Sequence, residues 1–273
     1  MDAQTLRAQA FRALHERQGA FVIPNPWDAG SAKILASLGF EALATTSAGY
    51  AFSQGRPDGG LTLDDTVANV RAIVAATDLP VAVDLENGFA DDPAECAQSI
   101  LAAAGAGAVG GSIEDFTGRA QGPIYCFEHA VARIEAAVAT ARSLPFAFTL
   151  TARAENFLHG NPDLADTIRR LQAFAEAGAD VLYAPGLRNA EEVLAVVRAV
   201  APKPVNVLMS GGLKLTVEQL SEMGVKRISV GSALALAAMG EFYRAAGEIR
   251  TAGTFGFTSR SMPYAQANQF FKG

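Results

Sequence analysis

A single (β/α)8 barrel, an α/β fold of the TIM type, is what this sequence predicts, and three observations predict it. Eight short apolar runs alternate with eight longer stretches of helical period. Four helical stretches hand over to a run through the same glycine-centred turn. The 273 residues match the usual size of eight βα units closed into one domain.

FVIPN (21–25) precedes a helical stretch at 29–38, ALATTS (42–47) precedes 63–76, and PVAVDLE (80–86) precedes 93–104. AVGGSIED (108–115) leads to 127–142, FAFTLTAR (146–153) to 162–177, and DVLYAP (180–185) to 189–199. PVNVLM (204–209) and RISVG (227–231) precede 216–222 and 232–250. Runs this short and this apolar fit parallel strands covered on both faces. LASLGFEAL, AAAGAGAVG, FAEAGADVL and LSEMGVKRI share one form, a helix end, a glycine and an early strand start. Glycine suits the left-handed position that closes a helix. A doubly wound open sheet is the rival, but no glycine-rich dinucleotide fingerprint follows the first run. No Pro/Ser-rich linker or charge run divides the chain. The expectation is one domain over 1–273, with 232–273 as a C-terminal helix and an aromatic tail that needs burial.

Composition narrows the class. Half of the residues are hydrophobic and 18% are charged, which excludes disorder. The net charge of −6 leaves no basic block to displace phosphate counterions, so no nucleic-acid surface is expected. No run reaches 18 apolar residues, and the polar N-terminus lacks a signal peptide's apolar segment. Cys96 and Cys126 are too few for a disulfide framework. Together these features predict a cytoplasmic protein that engages neither membrane nor nucleic acid.

Catalytic groups of such barrels stand at the C-terminal strand ends. There the sequence places Asp84 and Glu86, Glu114 and Asp115, Arg153 and Glu155, with Asp58 in the second βα loop. Asp84 and Glu86, two residues apart, point inward together, and Glu114 converges on them from the next strand. Carboxylates without His or Cys partners suit a hard cation that keeps its waters, Mg²⁺ or Mn²⁺. The bland alternative is that some of them cap helices or pair with Arg. The five lysines include no well-placed Schiff-base group, and His15, His129 and His159 have no zinc-ligand spacing. SGGL (210–213) and GSAL (231–234) offer a different reading, a phosphate cradle, against the plainer one of tight turns.

In order and spacing, TTSAGYAFSQGRPDGG, VDLENGFADDP, GGSIEDFTG and TARAENF resemble the isocitrate lyase and phosphoenolpyruvate mutase superfamily. The resemblance implies a Mg²⁺-dependent site for small 2-oxo or 2-hydroxy acids, some bearing phosphorus. It also implies a homodimer or homotetramer in which the C-terminal helix swaps between neighbours. Carried over residue by residue, Asp84 is the direct metal ligand, while Asp58, Glu86 and Glu114 hold the metal's waters. Arg153 clamps the substrate carboxylate. Thr46 and Ser47 stand where the family grips substrate oxygens with Ser-Gly, and Asn206 is a further substrate-binding candidate. Arg153, Asp58 and Glu114 are the candidate catalytic residues.

One departure sharpens the expectation. The family's lyases carry a cysteine acid in a Lys-Lys/Arg-Cys-Gly-His loop, and this chain reads FTGRAQGPIYCFEH there. Cys126 falls at a helix start, as a packing residue, and the loop 116–125 is expected to close as a lid without a cysteine acid. The expected chemistry is C–C or P–C cleavage through an enolate, on a simpler acid than isocitrate. The rival functions are a phosphate-handling barrel using SGGL and GSAL, and a catalytically silent 2-oxo acid binding protein.

Overall fold

Eight parallel strands lie side by side in the order β1-β8-β7-β6-β5-β4-β3-β2, each followed by a helix on the outside. The computed structural model describes residues 2–272. The strands are β1 (Phe21–Ile23), β2 (Leu43–Ala44), β3 (Val81–Asp84), β4 (Gly110–Glu114), β5 (Thr149–Arg153), β6 (Val181–Tyr183), β7 (Val205–Leu208) and β8 (Arg227–Ser229). The helices are α1 (Ala3–Glu16), α2 (Ala29–Ser37), α3 (Ser47–Ser53), α4 (Leu63–Ala75), α5 (Pro93–Gly105), α6 (Phe127–Ser143), α7 (Leu164–Glu176), α8 (Ala190–Val200), α9 (Val217–Glu222), α10 (Ala233–Ala252) and α11 (Tyr264–Phe271). The (β/α)8 barrel predicted from the sequence is therefore the fold.

The seam between β1 and β2 is the weakest part of the wall. The Ala44 amide donates to the Pro24 carbonyl at 3.1 Å. Above it, buried Asn25 donates from Nδ2 to the Thr45 carbonyl and accepts at Oδ1 from the amides of Val230 and Gly231. One side chain thus ties the ends of β1, β2 and β8 together and completes the closure that short strands leave unfinished.

The strands are shorter than the apolar runs for local reasons. Pro24 has no N–H and ends β1. Thr46 caps α3, its Oγ1 accepting from the Gly49 amide at 3.2 Å, so the run ALATTS yields only two strand residues. Glu86 adopts φ 48°, which turns the chain out of β3. The glycines of the internal repeat behave as read: Gly39, Gly107, Gly178 and Gly224 all have φ between 83° and 104°.

Two elements were not legible as strand-following helices. α3 fills the second βα loop, and α1 lies across the N-terminal end of the barrel. Asp2 caps α1 through the Thr5 amide, and Phe11, Leu14 and His15 enter a cluster with Phe21 and Ile23. At the other end of the chain, α10 buries only Ala235 among its 20 residues. Phe242 and Tyr243 are 76% and 80% exposed. After α10 the aromatic tail forms a short 3-10 turn at Gly256–Arg260 and then α11. α11 returns to α2 of the same chain, where Phe271 covers Gly30.

His15 sits edge-on to Phe11 and Phe21, with Nδ1 2.9 Å from the Phe11 carbonyl. Burial pushes its pKa down to about 3, helped by the Arg227 charge. The unfolded chain therefore takes up a proton near pH 6.5 that the folded chain refuses. Stability should be present above that pH and fall between 6.5 and 3, with a slope of about 1.4 kcal/mol per pH unit from this group. Urea denaturation across that range should show a shallower acid slope in His15→Phe than in the wild type.

Candidate active site

The parallel register carries one line of paired residues obliquely through the barrel. Glu114 pairs with Arg153, Arg153 with Tyr183, Tyr183 with Asn206, and Asn206 with Arg227. Residues paired across parallel strands share a face, here the interior. Glu114 and Arg153 end their strands whereas Arg227 begins its own, so the line runs from the C-terminal mouth into the barrel, as strand stagger requires. The second inward set, Asp84, Ser112 and Thr151, is likewise in register. All of these but Glu114 line a cavity of about 160 Å³, to which Thr46, Ser47, Asp58 and Ser229 also contribute. An interior this polar is unusual for a barrel, whose centre is normally filled by branched apolar side chains.

Asp84 is the most heavily bonded acid. Its Oδ2 accepts from Ser47 Oγ at 2.7 Å and from the Ser47 amide at 3.3 Å. Its Oδ1 accepts from Arg153 Nη1 at 2.9 Å, and its amide donates to Thr45 Oγ1. The sequence DLENGF then folds back in a tight turn in which Glu86, Gly88 and Phe89 all have positive φ. A Cβ on Gly88 would lie 2.4 Å from Cys96 Sγ, so only glycine fits there. Arg133, buried under the turn, donates to the carbonyls of Asn87, Ala90 and Asp91 and lies over the Tyr125 ring. A left-handed Glu86 is backbone strain that this packing holds in place.

Arg153 gathers the other carboxylates. Nη1 reaches Asp84, Nη2 lies 3.1 Å from Glu114 Oε2, and Nε donates to Glu155 Oε1 at 2.8 Å. Burial alone would lower the guanidinium's pKa, but Glu114, Glu155 and Asp84 hold it well above its ordinary value. Glu114 is raised well above the carboxylate range by burial and by the neighbouring acids, against the pull of Arg153. Of the guanidinium's five N–H groups, three are used here and two remain for a ligand.

Ionised together, the acids here would carry more negative charge than Arg153 can neutralise, and their pKa values rise accordingly. Burial, then Asp84 and Asp58, push Glu86 up to about 8, and its Oε1 is buried without a hydrogen-bond partner. Asp58 stands at the exposed rim, where desolvation and Asp84 raise its pKa. Among the described residues no three His, Cys, Asp or Glu side chains are gathered closely enough to form a metal cage. The donor set nevertheless fits a hard cation bound by one carboxylate and retained waters. Asp84 faces the cavity, and orphaned Glu86 and Asp58 flank it with oxygens that lack enough donors.

Thr46 and Ser47 line the cavity, but both hydroxyls are engaged, one capping α3 and the other on Asp84. Asn206 is 1% exposed, donates to Ser229 Oγ and accepts from Arg227 Nε. Three cavity residues carried no weight in the sequence reading: Asn25, Tyr183 and Arg227. A signal for Arg227 was present, because it lies two residues before Ser229 in β8 and so shares its face.

The two glycine loops and the loop after β4 are placed as follows. The SGGL glycines are solvent-exposed and do not line the cavity, and the Gly231 amide of GSAL is already bonded to Asn25. Gly231 and Ser232 of GSAL nevertheless line the cavity. The loop 116–125 is a pinned hairpin in which Phe116 bridges Ile124 and Thr117 bonds to Gly122 and Pro123. Arg119 and Tyr125 both bond to Asp91, away from the cavity lining. Cys126 does start α6, as read, but it is exposed and does not pack.

A parallel barrel with an acid-rich C-terminal mouth and a buried arginine defines a class of enzymes acting on small organic acids. The family model for phosphoenolpyruvate phosphomutase matches residues 11–250, and the chain belongs to that family, within the isocitrate lyase and phosphoenolpyruvate mutase superfamily. A crystal structure of a protein from Burkholderia cenocepacia J2315, described provisionally as a lyase/mutase, superposes with a TM-score of 0.97. The two are 58% identical over 100% of this chain and 98% of that one. The 2-methylisocitrate lyase of Halalkalibacterium halodurans is 32% identical over 214 residues, 75% of this chain and 68% of its own. An oxaloacetate acetylhydrolase in complex with oxalate gives a TM-score of 0.86 at 28% identity, covering 96% of this chain and 93% of that chain.

Removing the guanidinium should expose the cost of the acids around it. Arg153→Met leaves Asp84, Glu114 and Glu155 uncompensated, and should lower the unfolding free energy by about 3–5 kcal/mol at pH 8. The deficit should shrink toward pH 5 as Glu114, raised by burial, takes up its proton, which guanidinium chloride melts at the two pH values will measure.

Proposed function

We propose that the protein is a Mg²⁺-dependent lyase that cleaves a C–C or C–P bond of a small 2-oxo or 2-hydroxy acid through an enolate. The observation that carries this reading is the partnerless, buried Oε1 of Glu86 beside Asp84 and Asp58, an acid excess that calls for a cation. Asp84 would hold Mg²⁺ directly, and Asp58, Glu86 and Glu114 would hold its waters. Bound there, Mg²⁺ would supply Lewis-acid stabilisation of charge on the 2-oxo oxygen.

The chain's own groups do the rest. The two unused N–H groups of Arg153 grip the substrate carboxylate in a fork. Thr46 and Ser47 form the wall beside the oxo group, and Asn206 bounds the far side. As the bond beyond the oxo carbon breaks, its electron pair enters the enolate, and donors aimed at that oxygen each lower the barrier by about 3 kcal/mol. A cavity of about 160 Å³ admits a few-carbon acid and little more. The names of the relatives, with 2-methylisocitrate and oxaloacetate as their acids, support the same class.

The uncovered face of α10 supports assembly with a second copy, because Phe242 and Tyr243 leave apolar surface exposed along it. Truncation after Gly253 removes the aromatic tail and should lower the mass measured by light scattering. An unchanged mass would remove the tail from the interface.

The metal is tested by Asp84→Ala. Mg²⁺ together with oxalate should raise the wild-type Tm by several degrees, and the variant should show neither this shift nor turnover on any of a panel of 2-oxo acids. A variant that responds to Mg²⁺ as the wild type does would overturn the assignment.

A further inference from the structure

The two ends of the barrel hold unequal cavities. The acid-rich one at the C-terminal mouth measures about 160 Å³. At the opposite end, between α1 and the residues that lead into β5, β6, β7 and β8, lies a cleft of about 800 Å³. That is ample room for a ligand the size of a nucleotide. Arg12, His15 and Glu16 of α1 contribute to its lining, together with Phe146, Pro202 and Pro204 from the strand-entry loops.

Charge in this cleft does not balance. Asp180 is held by Arg142 at 2.6 Å, and Glu16 by Arg12 Nε at 2.7 Å. Lys226 has no such partner. Its Nζ donates to the carbonyls of Arg17 and Gly19, and no carboxylate acts on its charge. An ammonium has three hydrogens, so one is left over. Arg12 engages only Nε among the described residues, which leaves both Nη groups open. His15, 8% exposed in the same lining, turns Nδ1 to the Phe11 carbonyl, and its Nε2 is buried with no partner. Besides burial, the charges of Arg227 and Lys226 disfavour a proton on that ring, so the positive field reaches the cleft wall. In a chain of net charge −6, this is a local excess of positive charge beside apolar surface.

We propose that the cleft at the N-terminal end of the barrel binds an amphipathic anion, a flat body that carries one phosphate or carboxylate group. The anionic group meets the free hydrogens of Lys226 and Arg12, and the body lies on Phe146, Pro202 and Pro204. The occupant is bound and not turned over, since the chemistry of such barrels belongs to the other end. The site is separate from the mouth and stands whether or not Mg²⁺ binds there.

The test separates the body from the charge. Titration calorimetry compares AMP with adenosine, 2-naphthoate with 2-naphthylmethanol, and both anions with inorganic phosphate. AMP or 2-naphthoate should bind about tenfold or more tightly than its neutral counterpart, as a charge-assisted contact allows, and than inorganic phosphate. The tighter of the two anions identifies the source as a nucleotide or an aromatic acid. Lys226→Met should remove most of that advantage. Should that variant fail to fold, Arg12→Met at an exposed position of α1 carries the same expectation. The three histidines report where the ligand sits. In proton NMR the His15 ring signals should shift on binding while those of His129, beside Asp91, and His159, beside Glu155, stay in place. A shift at His159 with none at His15 puts the anion at the mouth and overturns the proposal. Equal affinity for charged and neutral members, or for wild type and both Met variants, overturns it too. Inorganic phosphate that binds as tightly as AMP and 2-naphthoate shows ion attraction alone, and binding by none of the five shows no site; either result overturns it.

Discussion

One guanidinium shared among three acids organises the mouth of this barrel. Arg153 terminates β5 and binds the residue that ends β3, the residue that ends β4 and the acid two positions along its own chain. Each of those carboxylates would be expensive in so dry a setting, and none can leave without stranding the others. The strands are therefore fixed relative to one another at the end where the chemistry belongs. The turn after β3 inherits that rigidity, clamped by Arg133 beneath and by the Asp84 contact above. Strain at Glu86 persists because the surroundings allow no relaxation.

Apolar runs and helix-ending glycines are local signals, and they made the eight strands and their helices readable to within a few residues. Strand ends were less readable, since Pro24, the Thr46 cap and left-handed Glu86 each stop a ladder that hydrophobicity alone would continue. α1 escaped notice because only one stripe of it, Phe11, Leu14 and His15, is buried, and the stripe lies within an otherwise polar segment. Asp84 and Arg153 were legible together because charged residues at the ends of apolar runs have few reasons to be there, and Asp58 by its place in the second βα loop. Arg227 and Asn25 were not. What matters about Arg227 is its depth, and depth depends on the stagger between strands, which no single strand encodes. Asn25 matters because two chain ends that barely pair meet beside it, a fact of closure.

Polarity inside the barrel separates two jobs that usually compete. The outer layer, between strands and helices, holds the apolar core and carries the stability. The inner layer is freed to hold Ser112, Thr151, Asn206, Ser229 and two arginines. The fold tolerates this because buried Asn206, Thr151 and Ser229 satisfy one another and Arg227 through direct hydrogen bonds.

The hairpin at 116–125 bears on the fate of a carbanion. Arg119 and Tyr125 are turned to Asp91, and Cys126, next along the chain, is exposed at the start of α6. An enolate made above Asp84 would have no side chain of this segment poised over either face, so this segment would not choose the face that takes the hydrogen. An enolate carrying one further substituent, quenched in heavy water, would then take up deuterium with no face chosen by this hairpin. Stereochemical scrambling at that carbon would be the chemical signature of a hairpin that turns away from the site.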